Sequence, residues 1–153
     1  MNSTVKEKLS GVFTPMVTPF KNDEILYEGI VKNVKRMNET GLRGYFVLGT
    51  NGEFRSLSVE ERLSVLKTVI DNAADDKVIM AGTSAESTKE TIDITLEAAK
   101  LGASMVSLLM PHFFRKHLTD DALVDYIIRV ADASPVPVLL YNNPSVAADV
   151  LIS

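Results

Sequence analysis

Five short stretches of this sequence place groups that bind anions or move protons beside residues that let a backbone turn. The most informative is Gly49-Thr50-Asn51-Gly52-Glu53-Phe54. Its two glycines bracket a hydroxyl and a carboxamide, so the backbone can turn tightly and present amide N–H groups to an anion. Such a loop holds a carboxylate without a formal positive charge. The competing reading is an ordinary glycine-rich turn between a strand and a helix. It is not a Walker A loop, because no Gly-Lys-Ser/Thr follows, and it lacks the third glycine of a dinucleotide fingerprint. Tyr141, in Tyr141-Asn142-Asn143-Pro144, is the second candidate. A phenol, whose ordinary pKa is about 10, relays a proton when a hydroxyl and an amine assist it. The alternative is a core aromatic with a satisfied hydroxyl. The other three stretches are Thr18-Pro19-Phe20, Gly82-Thr83-Ser84 and Pro111-His112-Phe113-Phe114-Arg115. His112 and His117 lack a third ligand at suitable spacing, so no metal is expected. The pairs Glu60-Glu61, Asp75-Asp76 and Asp120-Asp121 read as helix-start and surface charge.

Each of the five stretches follows a short apolar run: 11–17, 44–48, 78–81, 105–109 and 136–141. Continuous rather than alternating apolarity implies burial on both faces, the property of a parallel sheet covered by helices. Between the runs lie stripes at helical spacing. Tyr27, Ile30, Val31, Val34 and Met37 form one, with Gly41 placed for a left-handed cap. Val59, Leu63, Leu66 and Ile70 form the next, opened by a capping box of Ser58 and Glu61. Ser87 and Glu90 repeat that device before Ile92, Leu96 and Ala99, and Gly102 marks the stop. Leu123, Tyr126, Ile127 and Val130 form the last stripe, begun near Thr119 and Asp120 and ended before Pro135. The order is β-α-β-α-β-α-β-α-β, and strands recur at roughly thirty residues, one βαβ unit. A doubly wound open sheet and a (β/α)8 barrel both fit this alternation, and both gather function at the C-terminal ends of strands.

The 153 residues suggest one domain. With 46% hydrophobic and 24% charged residues the composition is that of an ordinary globular protein. Sixteen Lys and Arg against twenty Asp and Glu give a net charge of −4, so neither nucleic acid nor an anionic membrane is an expected partner. The absence of cysteine excludes disulfides, thiolate metal sites and a cysteine nucleophile. No secretory signal or membrane-spanning run is evident, and a cytoplasmic protein is expected.

Four strings together resemble the dihydrodipicolinate synthase/N-acetylneuraminate lyase family of class I, pyruvate-type aldolases. They are Gly-Val-Phe-Thr-Pro-Met-Val-Thr-Pro-Phe at 11–20, Gly-Thr-Asn-Gly-Glu-Phe at 49–54, Ala-Gly-Thr-Ser with Glu-Ser-Thr-Lys-Glu-Thr at 81–91, and Pro-Val-Leu-Leu-Tyr-Asn-Asn-Pro at 137–144. The resemblance covers essentially the whole chain in order and spacing, and it favours the barrel. It implies a lysine that forms a Schiff base with pyruvate or another 2-keto acid, and an enamine that attacks an aldehyde or forms by carbon–carbon cleavage. It implies no cofactor, a small-molecule 2-keto acid as partner and a homo-oligomer. It also implies that Thr50 relays protons to Tyr141, that Tyr141 shuttles them to the Schiff-base nitrogen and substrate oxygen, and that Asn51 with the amides around Gly49 and Gly52 binds the substrate carboxylate.

Three departures from the family pattern bear on substrate and completeness. The family's Schiff-base lysine lies on a sixth strand, whereas residues 1–153 read as about the first five strands and four helices of a single barrel domain, its C-terminal part absent. Of Lys6, Lys8, Lys21, Lys32, Lys35, Lys67, Lys77, Lys89, Lys100 and Lys116, only Lys116 follows the end of a strand, several residues into an exposed-looking loop with nothing to activate it. Lys77 precedes its strand. No Schiff base is therefore expected from this chain alone. Phe113 stands where dihydrodipicolinate synthases usually carry a tyrosine that reaches a neighbouring subunit, and Val146 stands where they carry an arginine for the aldehyde's carboxylate. Both point away from dihydrodipicolinate synthesis, which remains the alternative, and toward cleavage of 4-hydroxy-2-oxoglutarate or 2-keto-3-deoxy sugar acids. A continuing chain is expected to add a strand ending in lysine within roughly two dozen residues. Otherwise the chain pairs with another to complete a barrel, or is a non-catalytic half-barrel or open-sheet module that self-associates through its apolar edges.

Overall fold

A computed structural model describes residues 3–150 of the chain. Five short parallel strands form one sheet: β1 (Phe13–Pro15), β4 (Gly44–Val47), β5 (Val78–Gly82), β6 (Met105–Leu108) and β7 (Val138–Leu140). Their order in space is β1-β4-β5-β6-β7, so each strand lies beside its predecessor in the chain. A doubly wound sheet must reverse its order at a switch point. This one does not, which is the progression of a (β/α)8 barrel.

Helices α2 (Tyr27–Asn38), α3 (Val59–Asn72), α4 (Thr88–Leu101) and α5 (Asp120–Ala133) connect successive strands. Val34, Val47, Leu66, Val69, Val106 and Val130 are sealed between the layers. The expected capping box is complete: Ser58 Oγ accepts from Glu61 N, and Glu61 Oε2 accepts from Ser58 N. Ser87 and Thr119 cap α4 and α5 through their hydroxyls alone, which accept from Glu90 N and Ala122 N. Gly102 is left-handed at φ +113 and ends α4. Among the described residues no helix is long and apolar enough to cross a membrane.

Several local expectations are corrected. Helix α2 ends with Glu39 as its cap, and Gly41 is not left-handed. Thr40 supersedes it, because its hydroxyl donates to Met37 O and its N–H reaches the same carbonyl. The buried face of α4 is Thr91, Ile94, Thr95 and Ala98, leaving Leu96 exposed. Threonines take the inner face because tertiary partners satisfy their hydroxyls: Thr95 donates to Thr83 Oγ1, and Thr91 Oγ1 lies 3.1 Å from Tyr126 Oη. In α3, Val65 and Val69 join Leu66 inside, while Val59 and Ile70 are half-buried. A helix α1 (Ser3–Lys8) and a hairpin of β2 (Phe20–Lys21) and β3 (Glu24–Ile25) are additions. The hairpin turns on Asn22 and Asp23, both at positive φ, the geometry a two-residue turn between twisted strands requires.

Candidate functional site

The site forms where β4 through β7 end. Strand β4 gives way to Leu48, which is 2% exposed yet left-handed at φ 61. A branched side chain in that conformation is strained, and such strain persists only where surrounding contacts enforce it. Gly82 at the end of β5 is one of them: a Cβ there would lie 2.2 Å from Leu48 O. The bend swings Thr50–Gly52 into a single 3-10 turn, closed by Gly52 N to Gly49 O and Glu53 N to Thr50 O. These bonds consume the N–H groups of Gly52 and Glu53, so the amides at the open end of the turn are those of Thr50 and Asn51. Gly52 is buried against β1, and its carbonyl accepts from Thr18 Oγ1 at 2.8 Å. Asn51 is exposed.

Thr50 and Tyr141 come together although 91 positions separate them. Both line a pocket with Phe46, Leu48, Gly49, Phe54, Gly82, Ser84, Ser107 and Leu109. Its free volume of about 10 Å³ is close to that of one water. Tyr141 N continues the ladder to Leu108 O at 2.8 Å, which fixes the backbone, and its ring stands edge-on to Phe46 at 6.1 Å. Tyr141 Oη accepts from Asn143 Nδ2 at 2.9 Å. Ser84 Oγ accepts from Leu109 N at 2.7 Å and ties the ends of β5 and β6 together. A second cavity of about 150 Å³ shares Thr50 and is walled by Glu53, Phe54, Arg55, Leu109 and Val146. A larger one of about 340 Å³, beside Met16 and Met37, lies against β1 and α2, apart from these corners.

Sequence reading missed a polar network at the rim. Arg55 Nη1 pairs with Glu86 Oε1 at 2.5 Å, and Arg55 Nη2 lies 3.0 Å from His112 Nδ1. Glu86 Oε2 accepts from the N–H groups of His112 and Phe113 at 2.9 and 3.0 Å. Burial would raise the Glu86 pKa, but the Phe113 and His112 amides and the Arg55 guanidinium outweigh it and hold the carboxyl below its ordinary value. Partial burial, aided by Arg55, lowers the Arg62 pKa despite Glu90; its guanidinium and that of Arg55 lie 5.3 and 5.2 Å from the Phe54 ring centroid. No sequence signal marks this network, whose members lie up to 57 positions apart. Beneath it, burial pushes the Tyr126 phenol up to about 12, against the opposing hydrogen bond from Thr91.

The lysines fall as their positions imply. Lys116 sits in a short exposed turn, Arg115–His117. The Lys77 side chain is only 4% exposed, but at the opposite end of the sheet, where its ammonium donates to Thr40 O and Leu42 O. Phe113 and Phe114 stack edge to face at 4.9 Å and are exposed.

A sequence profile of the Dihydrodipicolinate synthetase family matches residues 8–152. A 4-hydroxy-tetrahydrodipicolinate synthase of Methanothrix thermoacetophila is 38% identical over 135 residues, 88% of this chain and 44% of that protein. A probable mitochondrial 4-hydroxy-2-oxoglutarate aldolase of Emericella nidulans is 35% identical over 148 residues, 94% of this chain and 48% of that protein. The crystal structure of YagE, a prophage protein from E. coli K12 in complex with pyruvate, superposes with a TM-score of 0.85 at 28% identity, over 92% of this chain and 47% of that one. The chain spans about half the length of the curated relatives it matches.

Proposed function

Because this chain belongs to the dihydrodipicolinate synthetase family, we propose that residues 1–153 supply the first five strands of the barrel of a class I lyase or aldolase acting on pyruvate or another 2-keto acid. The observation that carries this reading is the meeting of Thr50 and Tyr141 in one apolar-walled pocket at the C-terminal ends of the strands. The pyruvate bound in the YagE structure supports the choice of ligand.

In this reading the amine comes from a strand beyond β7. It adds to the keto carbon, water leaves, and a Schiff base forms. Loss of a proton from the adjacent carbon gives an enamine, which attacks an aldehyde carbon; cleavage is the reverse. Tyr141 exchanges the protons at the departing oxygen and at the aldehyde oxygen, with Thr50 as its relay. The amides of Thr50 and Asn51 receive the substrate carboxylate, and Gly49 and Gly52 shape the turn that presents them. Val146 and Phe113 favour cleavage of a 4-hydroxy-2-oxoglutarate or 2-keto-3-deoxy sugar acid type of substrate. Dihydrodipicolinate formation is the second reading, supported by relatives of that name.

Incubation with pyruvate, borohydride reduction and intact mass test it. No adduct is expected on the 16.8 kDa chain, and one adduct is expected on a polypeptide that continues through the following strands. An adduct on one of the ten lysines of the shorter chain would overturn this placement of the nucleophile.

A further inference from the structure

Thr50 and Tyr141 line one pocket, yet no hydrogen bond joins them among the described residues; Tyr141 Oη accepts from Asn143 Nδ2 instead. A relay between the two hydroxyls therefore needs a link. The register of the sheet points to Ser107. It pairs with Gly82 of β5 on one side and with Leu139 of β7 on the other. Tyr141 lies two positions beyond Leu139, so it shares the face of the sheet that Ser107 occupies. Gly82 brings no side chain to that face, and a Cβ there would lie 2.2 Å from Leu48 O, so backbone contact keeps the space beside Ser107 open. Ser107 is 5% exposed and lines the pocket, and its hydroxyl has no hydrogen-bond partner among the described residues. A buried hydroxyl without a partner is costly, and one bridging water removes the cost. Ser84 lines the same pocket; its oxygen accepts from Leu109 N at 2.7 Å, which leaves its proton to donate. The free volume of about 10 Å³ admits one water and is too small for a 2-keto acid.

Resting on the aldolase reading above, we propose that this pocket binds a single water, anchored by Ser107 and Ser84, and that this water links Thr50 to Tyr141 in the proton relay. Ser107 is then a positioning residue, because it acts through the water and touches no reacting atom. When the Tyr141 phenol gives its proton to the departing oxygen, the water replaces that proton and takes one in turn from the Thr50 hydroxyl. Thr50 is exposed, so solvent restores its proton. The water and both hydroxyls end as they began, and the net proton comes from solvent.

The test uses a polypeptide that carries this segment within a closed barrel. Its crystal structure is expected to show one water within hydrogen-bond distance of Ser107 Oγ, Thr50 Oγ1 and Tyr141 Oη, and the Ser107→Ala structure to lack it. Schiff-base formation with pyruvate is followed by borohydride-quenched time courses. Ser107→Ala is expected to slow it by about 10-fold at saturating pyruvate, with the half-saturating concentration changed by less than about 2-fold. In mixtures of H2O and D2O the wild-type rate is expected to fall along a curve, because several protons move together, and the Ser107→Ala rate along a straight line. A packing defect alone would shift stability or half-saturation and leave the shape of that plot unchanged. A pocket without water in the wild-type crystal, or a Ser107→Ala rate and plot that match the wild type, would overturn the proposal. A closed-barrel wild type that traps no pyruvate would instead defeat the aldolase reading and the relay with it, whether or not the crystal shows the water.

Discussion

The two ends of the parallel sheet use the same kinds of polar residue for opposite purposes. At the N-terminal ends of the strands Asn38, Tyr45 and Lys77 are all tied. Asn38 donates to Asn72 O and accepts from Tyr45 Oη and Ala74 N, so one carboxamide joins the ends of α2 and α3 to β4. Burial, with Asp76 nearby, raises the Tyr45 pKa. Lys77 is spent on two backbone carbonyls. At the C-terminal ends the backbone is strained at Leu48 and Glu53, the turn leaves amides open, and hydroxyls line cavities. Saturated polar groups stabilise; polar groups held short of saturation are available to a ligand. The fold divides its ends between these tasks, as barrels do.

Substitutions at the two ends should separate stability from activity. The largest effect is expected from Tyr141→Phe, which removes the proposed proton shuttle: turnover in the closed barrel should fall by about 10²- to 10⁴-fold, with the denaturation midpoint little moved. Steady-state kinetics beside urea unfolding check both halves, and a variant that loses stability instead would place Tyr141 with the structural end. Asn38→Ala is next. It breaks three hydrogen bonds in a part-buried site and should lower stability by about 2–3 kcal/mol in urea titration, with turnover per folded molecule retained.

Tyr126 lies between the two regimes, a buried phenol near the Arg55–Glu86 pair. Its folded pKa of about 12 exceeds the unfolded value of about 10. Its contribution is therefore fully present below pH 10 and is lost as pH rises from there through about 12, because only the unfolded state sheds the proton easily. In unfolding titrations across that window the wild type should lose about 2 kcal/mol more than Tyr126→Phe; parallel curves would count against the buried phenol as the cause. The smallest effect is expected from Ser58→Ala, about 1 kcal/mol from the lost cap of α3, measurable by thermal melting and without consequence for ligand binding.

Much of this layout was legible along the chain. The apolar runs predicted the strands, and Ser58 with Glu61 predicted a capping box whose bonds are all local. The Asn22-Asp23 turn is local as well, since both residue types tolerate the positive φ it needs. The inner face of α4 was not legible, because Thr91 and Thr95 count as polar until Tyr126 and Thr83 are brought to them. The rim of Arg55, Glu86 and His112 was hidden for the same reason: each is an ordinary surface residue until three loops converge.

By itself the sequence determined the alternation of strands and helices, the caps, and which corners carry hydroxyl, carboxamide and phenol, since these depend on neighbours within a few positions. The tertiary structure alone decided that strand order runs without reversal, that Thr50 and Tyr141 share a pocket, and that Arg55 is neutralised by Glu86. Those outcomes depend on distances between segments far apart in the chain, and only packing sets them.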